Sequence, residues 1–305
     1  MLFLSEDQFR RLVNVDELVQ AIRAVFTRDF SSTLHMPVRS SLQLGGAVLL
    51  IMPCYDFALN AAGVKLVSVS SKGVQAVYEL LDPATGIPIA RMAANYLTDL
   101  RTAATSALAT DLLSRQDVKT LGIFGSGRQA AVHFAVLPRL RHFERFLVCG
   151  RSGVDAFCRK MQAEHAIRIE PVTAEVCARE SDVICTCTTA TEPLFDGHWL
   201  RSGTHLNVVG AFQPYTREVD DETVRHARVV VDTYAGALAE AGDLLIPIKN
   251  GIITRSHIIA DLHEIASGKK TGRTGRDDIT LFKSVGCALE DLVTAQLVYE
   301  HAKYD

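Results

Sequence analysis

The sequence predicts an α/β protein: a doubly wound parallel sheet joined to a second domain of antiparallel α+β type. Two patterns and one size argument carry this expectation. From Val118 onward six short apolar runs, VKTLGIF, RFLVCG, IRIEPV, SDVICTC, HLNVVG and ARVVVD, alternate with amphipathic or loop segments, as parallel strands covered by helices do. Before them SSLQL and AVLLIMP flank Gly45-Gly46, GVKLVSVS follows, and YELLD and IPIARM flank PATG, so consecutive hairpins build an antiparallel sheet. At 305 residues the chain is long for one core, and its 48% hydrophobic content is enough to fill two.

The chain opens with helices. Ser5 and Gln8 stand at capping-box spacing, and Val15, Leu18, Val19, Ile22, Val25 and Phe26 fall on one helical face. After the hairpins a long helix is expected from about Thr98 to Ser114. The last helix, roughly Val285 to Ala302, is expected to return to the first domain. The expected division is therefore a first domain over residues 1–114, completed by 285–305, and a nucleotide-binding domain over 115–284. MLFLSEDQFRRLV has only a scrap of apolar residues before its charges begin, so it reads as neither a signal peptide nor a membrane anchor.

Charge and cysteine usage narrow the function. A formal net charge of -3, with no basic block longer than Lys269-Lys270, argues against nucleic acid or an anionic membrane as the main partner and favours a small-molecule ligand. The seven cysteines contain no Cys-x-x-Cys and no histidine pair at zinc spacing. Reduced, mostly buried thiols in a cytoplasmic protein without a bound metal are the expectation.

The strand VKTLGIF runs into Gly125-Ser126-Gly127-Arg128-Gln129-Ala130, a G-x-G-x-x-A that opens an apolar helix. Gly125 permits the tight turn, Gly127 lets the backbone approach a pyrophosphate, and the small Ala130 lets helix and strand pack closely. The helix N-terminus adds amide donors and positive potential for the phosphates. With a strand before it and a second strand at the right distance, this is a Rossmann-type dinucleotide signature. The second strand ends VCGRS, where an NAD-preferring site usually places an acid for the ribose hydroxyls. Arg151 and Ser152 offer donors instead, so NADPH is the expected coenzyme and NADH the alternative.

Three cations in the first domain belong to separate elements: Arg39 after Pro37, Lys65 inside GVKLVSV, and Arg101 near the start of LTDLRTAATSALA. A cation in the first turn of a helix is locally unfavourable, which points to a compensating anion bound there. Convergence of all three on a substrate carboxylate would account for them. Alternation leaves Lys65 on either face of its strand. Farther on, the strand Leu206 to Val209 stops at Gly210 and places Phe212 at the carboxyl end of the sheet, where ligands of this fold bind.

The segments PVR (37–39), GVKLVS (63–68), DPATGIPIA (82–90), LTDLRTAATSALA (97–109), GSGRQA (125–130) and TLFKSVGCALEDL (280–292) together resemble the ornithine cyclodeaminase/mu-crystallin family, in order and over essentially the whole chain. The resemblance implies a nucleotide-binding Rossmann domain, a substrate domain that dimerises, and NAD(P)(H)-dependent chemistry on amino acids, imines or keto acids. It further implies that Arg39, Lys65 and Arg101 hold the substrate carboxylate. Cofactor contacts at Arg128, Gln129, Val209, Gly210 and Ser284 follow from it too.

Cyclodeaminases of that family carry an Asp where this chain has Phe212, and a Glu in the segment matching AVLLIMP, which has no acid here. Both departures remove partners that a buried ammonium would need, so ornithine is a poor candidate. The expected activity is reduction of a small cyclic ketimine, specifically Δ1-pyrroline-2-carboxylate to L-proline. Lys65 is a candidate proton donor, since a desolvated lysine has a lowered pKa. His198, His205 and His263 are alternatives by residue type alone. The rival readings are an alanine dehydrogenase, the cyclodeaminase itself, and a non-enzymatic NADPH-binding protein.

Overall fold

In the computed structural model, which describes residues 1–30 and 32–304, the chain divides into two units. Unit 1 comprises Met1–Thr105 and Gly286–Asp305, and unit 2 comprises Ser106–Val285. The division falls within the helix Asn95–Leu113 rather than after it. Asp305, the last residue of the expected first domain, lies outside the described residues.

Unit 1 is a seven-stranded sheet of β1 (Leu2–Leu4), β2 (Leu34–His35), β3 (Ser40–Gln43), β4 (Ala47–Asp56), β5 (Ala61–Ser70), β6 (Gly73–Leu81) and β7 (Pro88–Ala93). Its order is β1-β7-β6-β5-β4-β2, with β3 also paired to β4. The expected hairpins form, and their pairs are antiparallel. The apolar scrap at the N-terminus is itself a strand: Leu2 to Leu4 pair in parallel with Ala90 to Met92. Three residues were too short a run to read from pattern, and a partner nearly ninety positions away defines them.

The first helix is capped as the sequence predicts, and the second has an Asn14 cap that was not anticipated. Ser5 accepts from the Gln8 amide while the Gln8 side chain accepts from the Ser5 amide, and Asn14 accepts from the amides of Asp16 and Glu17. Leu18, Val19, Ile22, Val25 and Phe26 form the buried face of the helix Val15–Thr27. The C-terminal helix Ala288–Ala302 packs on that helix and on β4, β5 and β6, so the chain's last element lines the inner face of its first sheet.

Unit 2 is an all-parallel sheet of β8 (Thr120–Phe124), β9 (Arg145–Cys149), β10 (Ile169–Pro171), β11 (Val183–Thr186), β12 (His205–Val208), β13 (Ala227–Val231), β14 (Ile258–Asp261) and β15 (Ile279–Lys283). The order β10-β9-β8-β11-β12-β15-β13-β14 winds outward both ways from β8, so its carboxyl end sits at a topological switch point. Phe124, Leu147, Ile184, Leu206, Val208, Val229 and Leu281 are among its buried core. Two strands, β14 and β15, go beyond the six expected. β15 inserts between β12 and β13 and pairs Lys283 with Val208, which brings Ser284 beside the end of β12.

Candidate active site

The burial of β5 alternates, and Ala61, Gly63, Lys65 and Val67 share its inner face. Lys65 is 1% exposed, so the solvent-facing reading fails. Its ammonium lies 2.7 Å from the carboxylate of Asp291, in the first turn of the C-terminal helix. Burial pulls the Lys65 pKa down to about 8, against the pull of Asp291; the nearby positive charges of Arg101 and Arg39 add to the lowering. Arg39 is half-buried and close enough to Lys65 for its charge to be felt. Tyr78 is wholly buried opposite, and a side chain at Gly63 would collide with its hydroxyl, which is why that strand position carries glycine.

Arg101 sits in the second turn of its helix, because the helix begins at Asn95. The expected compensating anion is therefore found within the chain. Arg101 is 4% exposed, pairs with Glu290, and places its Nε 3.0 Å from Asp291. Burial disfavours its charge, but Asp291 and Glu290 outweigh that and hold the guanidinium firmly protonated. Gly286, at positive φ just before the C-terminal helix, leaves the space the guanidinium occupies. Lys65, Arg101 and Arg39 thus form one cationic group, in which Lys65 and Arg101 pair with the buried carboxylates Asp291 and Glu290.

The glycine loop of unit 2 fits a dinucleotide on its own geometry. Gly125 has φ +118°, and a Cβ there would lie 2.6 Å from the Cys187 carbonyl oxygen. Gly127 caps the helix Arg128–Val136 with no side-chain bond to the first-turn amides, and the space beside its Cα is open. Ala130 is fully buried, as close helix–strand packing requires. Arg128 is exposed and Gln129 half-buried. Ser126 Oγ donates to the Ser152 carbonyl (2.9 Å), tying the loop to the end of β9, where Arg151 and Ser152 are exposed. A phosphate chain has donors and room here.

At the end of β12, Val209 donates to Thr186 and the chain turns through Gly210, Ala211 and Phe212. The amides of Gly210 and Ala211 donate to the buried Glu218 at 2.7 and 3.2 Å, so a carboxylate beneath the loop holds its shape. Phe212 is 36% exposed. Ser284 is buried, and its hydroxyl donates to Asp232 (2.9 Å); it does not cap the C-terminal helix, whose N-cap is Cys287. Among the described residues no group of His, Cys, Asp and Glu could hold a metal ion.

The profile of the ornithine cyclodeaminase/mu-crystallin family matches residues 1–305. The chain belongs to that family. It is 35% identical to the Δ1-pyrroline-2-carboxylate reductase of Bacillus cereus, with 99% of this chain and 97% of the relative covered. It is also 35% identical to the ketimine reductase mu-crystallin of Mus musculus over 98% of this chain and 96% of that one. Among solved structures, the Thermococcus litoralis Δ1-pyrroline-2-carboxylate reductase, in complex with NADH and L-proline, superposes with a TM-score of 0.96 at 37% identity, covering 100% of this chain and 98% of that one.

Within this family member the other nominated side chains separate cleanly. His205 is fully buried between Thr280 and Asn207, and burial pushes its pKa down to about 3, so it is a neutral packing group. His198 is largely exposed beside Glu222, and His263 lies near Lys269. The acid nearest the AVLLIMP segment is Asp56, which is committed to Arg28 and to the amides of Ala58 and Leu59. Glu290, Asp291 and Glu218 were not anticipated; adjacent acids between Leu289 and Leu292 in an otherwise apolar helix were the available signal.

Proposed function

We propose that this protein reduces a small cyclic ketimine carboxylate, Δ1-pyrroline-2-carboxylate to L-proline, with a nicotinamide coenzyme. The observation that carries the reading is the clustering of Arg39, Lys65 and Arg101 in a chain related over its full length to pyrroline-2-carboxylate reductases. In this reading the three cations hold the substrate carboxylate, the fork of Arg101 fixing its plane. Holding the carboxylate orients the adjacent C=N carbon and replaces a chance encounter with a positioned one. A reduced nicotinamide coenzyme, whose pyrophosphate Gly125 to Ala130 would hold, would supply the hydride for that carbon. Lys65, poised by burial near neutrality, is the group proposed to deliver the proton to nitrogen, completing C=N to CH–NH.

Phe212 stands in for an acid that a diamine would need, which supports an uncharged ring beside the carboxylate over an ammonium-bearing chain. Val209, Gly210 and Ser284, at the ends of β12 and β15, complete the proposed cofactor contacts, with Arg128 and Gln129 at the helix start. Arg151 and Ser152 favour NADPH. A homodimer is part of the reading: Leu42 and Val74 on the sheet of unit 1, and Val38 and Leu44 flanking β3, are exposed apolar residues, and covering them would remove that surface from water.

The deciding assay follows coenzyme oxidation with Δ1-pyrroline-2-carboxylate, Δ1-piperideine-2-carboxylate and pyruvate plus ammonia, alongside ammonia release from ornithine. The five-membered imine is expected to give the highest kcat/KM. Ornithine turnover, or amination of pyruvate without imine reduction, would overturn the assignment. Phe212→Asp is expected to lower reductase kcat/KM, and an unchanged value would remove Phe212 from the substrate site.

A further inference from the structure

Asp291 touches both buried cations. One carboxylate receives the Lys65 ammonium at 2.7 Å and the Arg101 Nε at 3.0 Å, and it is fully buried. Glu290, its neighbour, reaches Arg101 and the Cys287 thiol. The two acids therefore divide the work: both restrain the guanidinium, and Asp291 also spans to the strand that carries Lys65. Their helix is anchored on β4, β5 and β6, so the span is supported from behind by packing.

We propose that Asp291 is a positioning residue for the reduction: by bridging Lys65 and Arg101 it fixes the spacing of the two cations that take the substrate carboxylate and supplies the counter-charge that lets Lys65 keep its proton in a buried site. An ammonium without such a partner would shed its proton or draw in water. A guanidinium hydrogen-bonded through Nη1 to Glu290 and ion-paired with Asp291, 3.0 Å from its Nε, is restrained from two sides, which limits the orientation of a carboxylate docking on its remaining edge. This inference rests on the ketimine reductase reading for its kinetic arm alone.

The groups facing Lys65 determine the sign of the pH effect. Asp291 raises its pKa, while Arg101 and Arg39 lower it. Cys54 on β4 and Tyr78 on β6 lie in the same buried setting. Burial holds both above their ordinary values, with Asp291 adding to each, so both remain neutral where Lys65 titrates. Removing the Asp291 charge must therefore lower the Lys65 pKa below its present value of about 8. If protonated Lys65 is the active form, kcat/KM is lost as pH rises through that value, and the loss sets in at lower pH in the variant.

Asp291→Asn is expected to lower kcat/KM for Δ1-pyrroline-2-carboxylate by about tenfold or more at neutral pH and to move the alkaline limb at least about one unit toward acid. Glu290→Gln, which removes the carboxylate paired with Arg101 while leaving the Lys65–Asp291 contact in place, is expected to lower kcat/KM while leaving that limb in place. Asp291→Glu retains the charge at altered reach and should keep the limb with reduced kcat/KM, which guards against a folding defect in the amide variant. Independently of turnover, the 13Cε resonance of Lys65, identified by its loss in Lys65→Arg, should titrate at lower pH in Asp291→Asn than in the unmutated protein. A superimposable alkaline limb together with an unmoved Lys65 titration would overturn the proposal. Absence of imine reduction by the unmutated protein would instead overturn the functional reading, and the titration would still decide the role of Asp291.

Discussion

Lys65, Arg101, Glu290 and Asp291 in unit 1 and Glu218, Asp243 and Lys283 in unit 2 are made of the same materials, acids and bases withdrawn from water. Their balance is opposite. With half-buried Arg39 the first group has three cations to two acids, whereas the second has two acids to one cation, Lys283, which pairs with Asp243 at 2.8 Å and donates to the Ala211 carbonyl at 2.5 Å. The deficit in unit 2 is made up by hydrogen-bond donors. Glu218 accepts from Thr186 and Thr188 hydroxyls and from the amides of Thr188, Gly210 and Ala211, while Asp243 accepts from the amides of Glu218 and Val219. Burial and Asp243 push the Glu218 pKa up, yet the five donors converging on it argue for the carboxylate form. The closed acid cluster holds a loop; the open cationic one is proposed to take an anion.

The largest effect should come from breaking the open cluster. Arg101→Ala removes the cation paired with both Glu290 and Asp291, leaving them Lys65 and half-buried Arg39. Stability is expected to fall by about 3–5 kcal/mol and kcat/KM by a factor of about 1000 in the folded fraction. Urea unfolding and steady-state kinetics on the same preparation separate the two losses. Arg101→Lys keeps charge without the planar fork, and near-normal kcat/KM for it would contradict a two-point grip on the carboxylate.

Breaking the closed cluster should cost stability first. Lys283→Met leaves Asp243 and Glu218 without their cation, and a loss of about 3–4 kcal/mol in unfolding free energy is expected. The Gly210–Ala211 turn loses the Lys283 contact to the Ala211 carbonyl but keeps its two amide donors to Glu218, so the substrate KM of the protein that remains folded should change little. A variant that is fully stable but has lost substrate affinity would erase the distinction between the clusters.

A third kind of buried titratable group carries no charge at all. His133, held by the Gln129 carbonyl and the Ser106 hydroxyl, and His205 have pKa values pushed by burial to about 4 and about 3. Their unfolded values lie near about 6.5, so below that pH the unfolded chain binds more protons. Stability is therefore present in full above about pH 6.5 and declines as pH falls, by roughly 3 kcal/mol for each histidine by about pH 4. Urea midpoints measured from neutral to mildly acidic pH should track this, and His205→Gln should flatten the slope. An unchanged slope would mean that water or a proton reaches the ring in the native state.

How much of this was legible in the chain depended on the range over which each feature is encoded. The glycine loop is local: Gly125, Gly127 and Ala130 span six positions, and each need, for turn, approach and packing, is met within them. The hairpins of unit 1 are equally local, since glycine turns punctuate alternating strands. β14 and β15 escaped notice because IIAD and ITLFK are short and mixed with charge, and only their neighbours in the sheet make them strands. The bridge from Lys65 to Asp291 crosses 226 positions, so no window could hold both ends. The site was visible as cations that lacked a reason, and the acids that restrain them emerged only from the fold.

The smallest expected effect concerns the coenzyme, where an exposed cation replaces both kinds of buried cluster. Arg151 follows Gly150 at the end of β9 and is exposed, beside a loop joined to the glycine turn through Ser126 and Ser152. No acid occupies the end of that strand to repel a 2′-phosphate. A single solvent-exposed charge-assisted contact is worth about 1.4 kcal/mol, so Arg151→Ala should raise the KM for NADPH about tenfold and leave that for NADH nearly unchanged. Solvent screening gives a second signature: added salt should narrow the difference between the two coenzymes in the unmutated protein and have little effect on it in the variant. The buried cations of unit 1, shielded from the solvent, should show far weaker salt dependence in their grip on the ketimine carboxylate. Equal losses with both coenzymes would place Arg151 on the shared part of the cofactor or away from it, and the preference for NADPH would then have no residue to carry it.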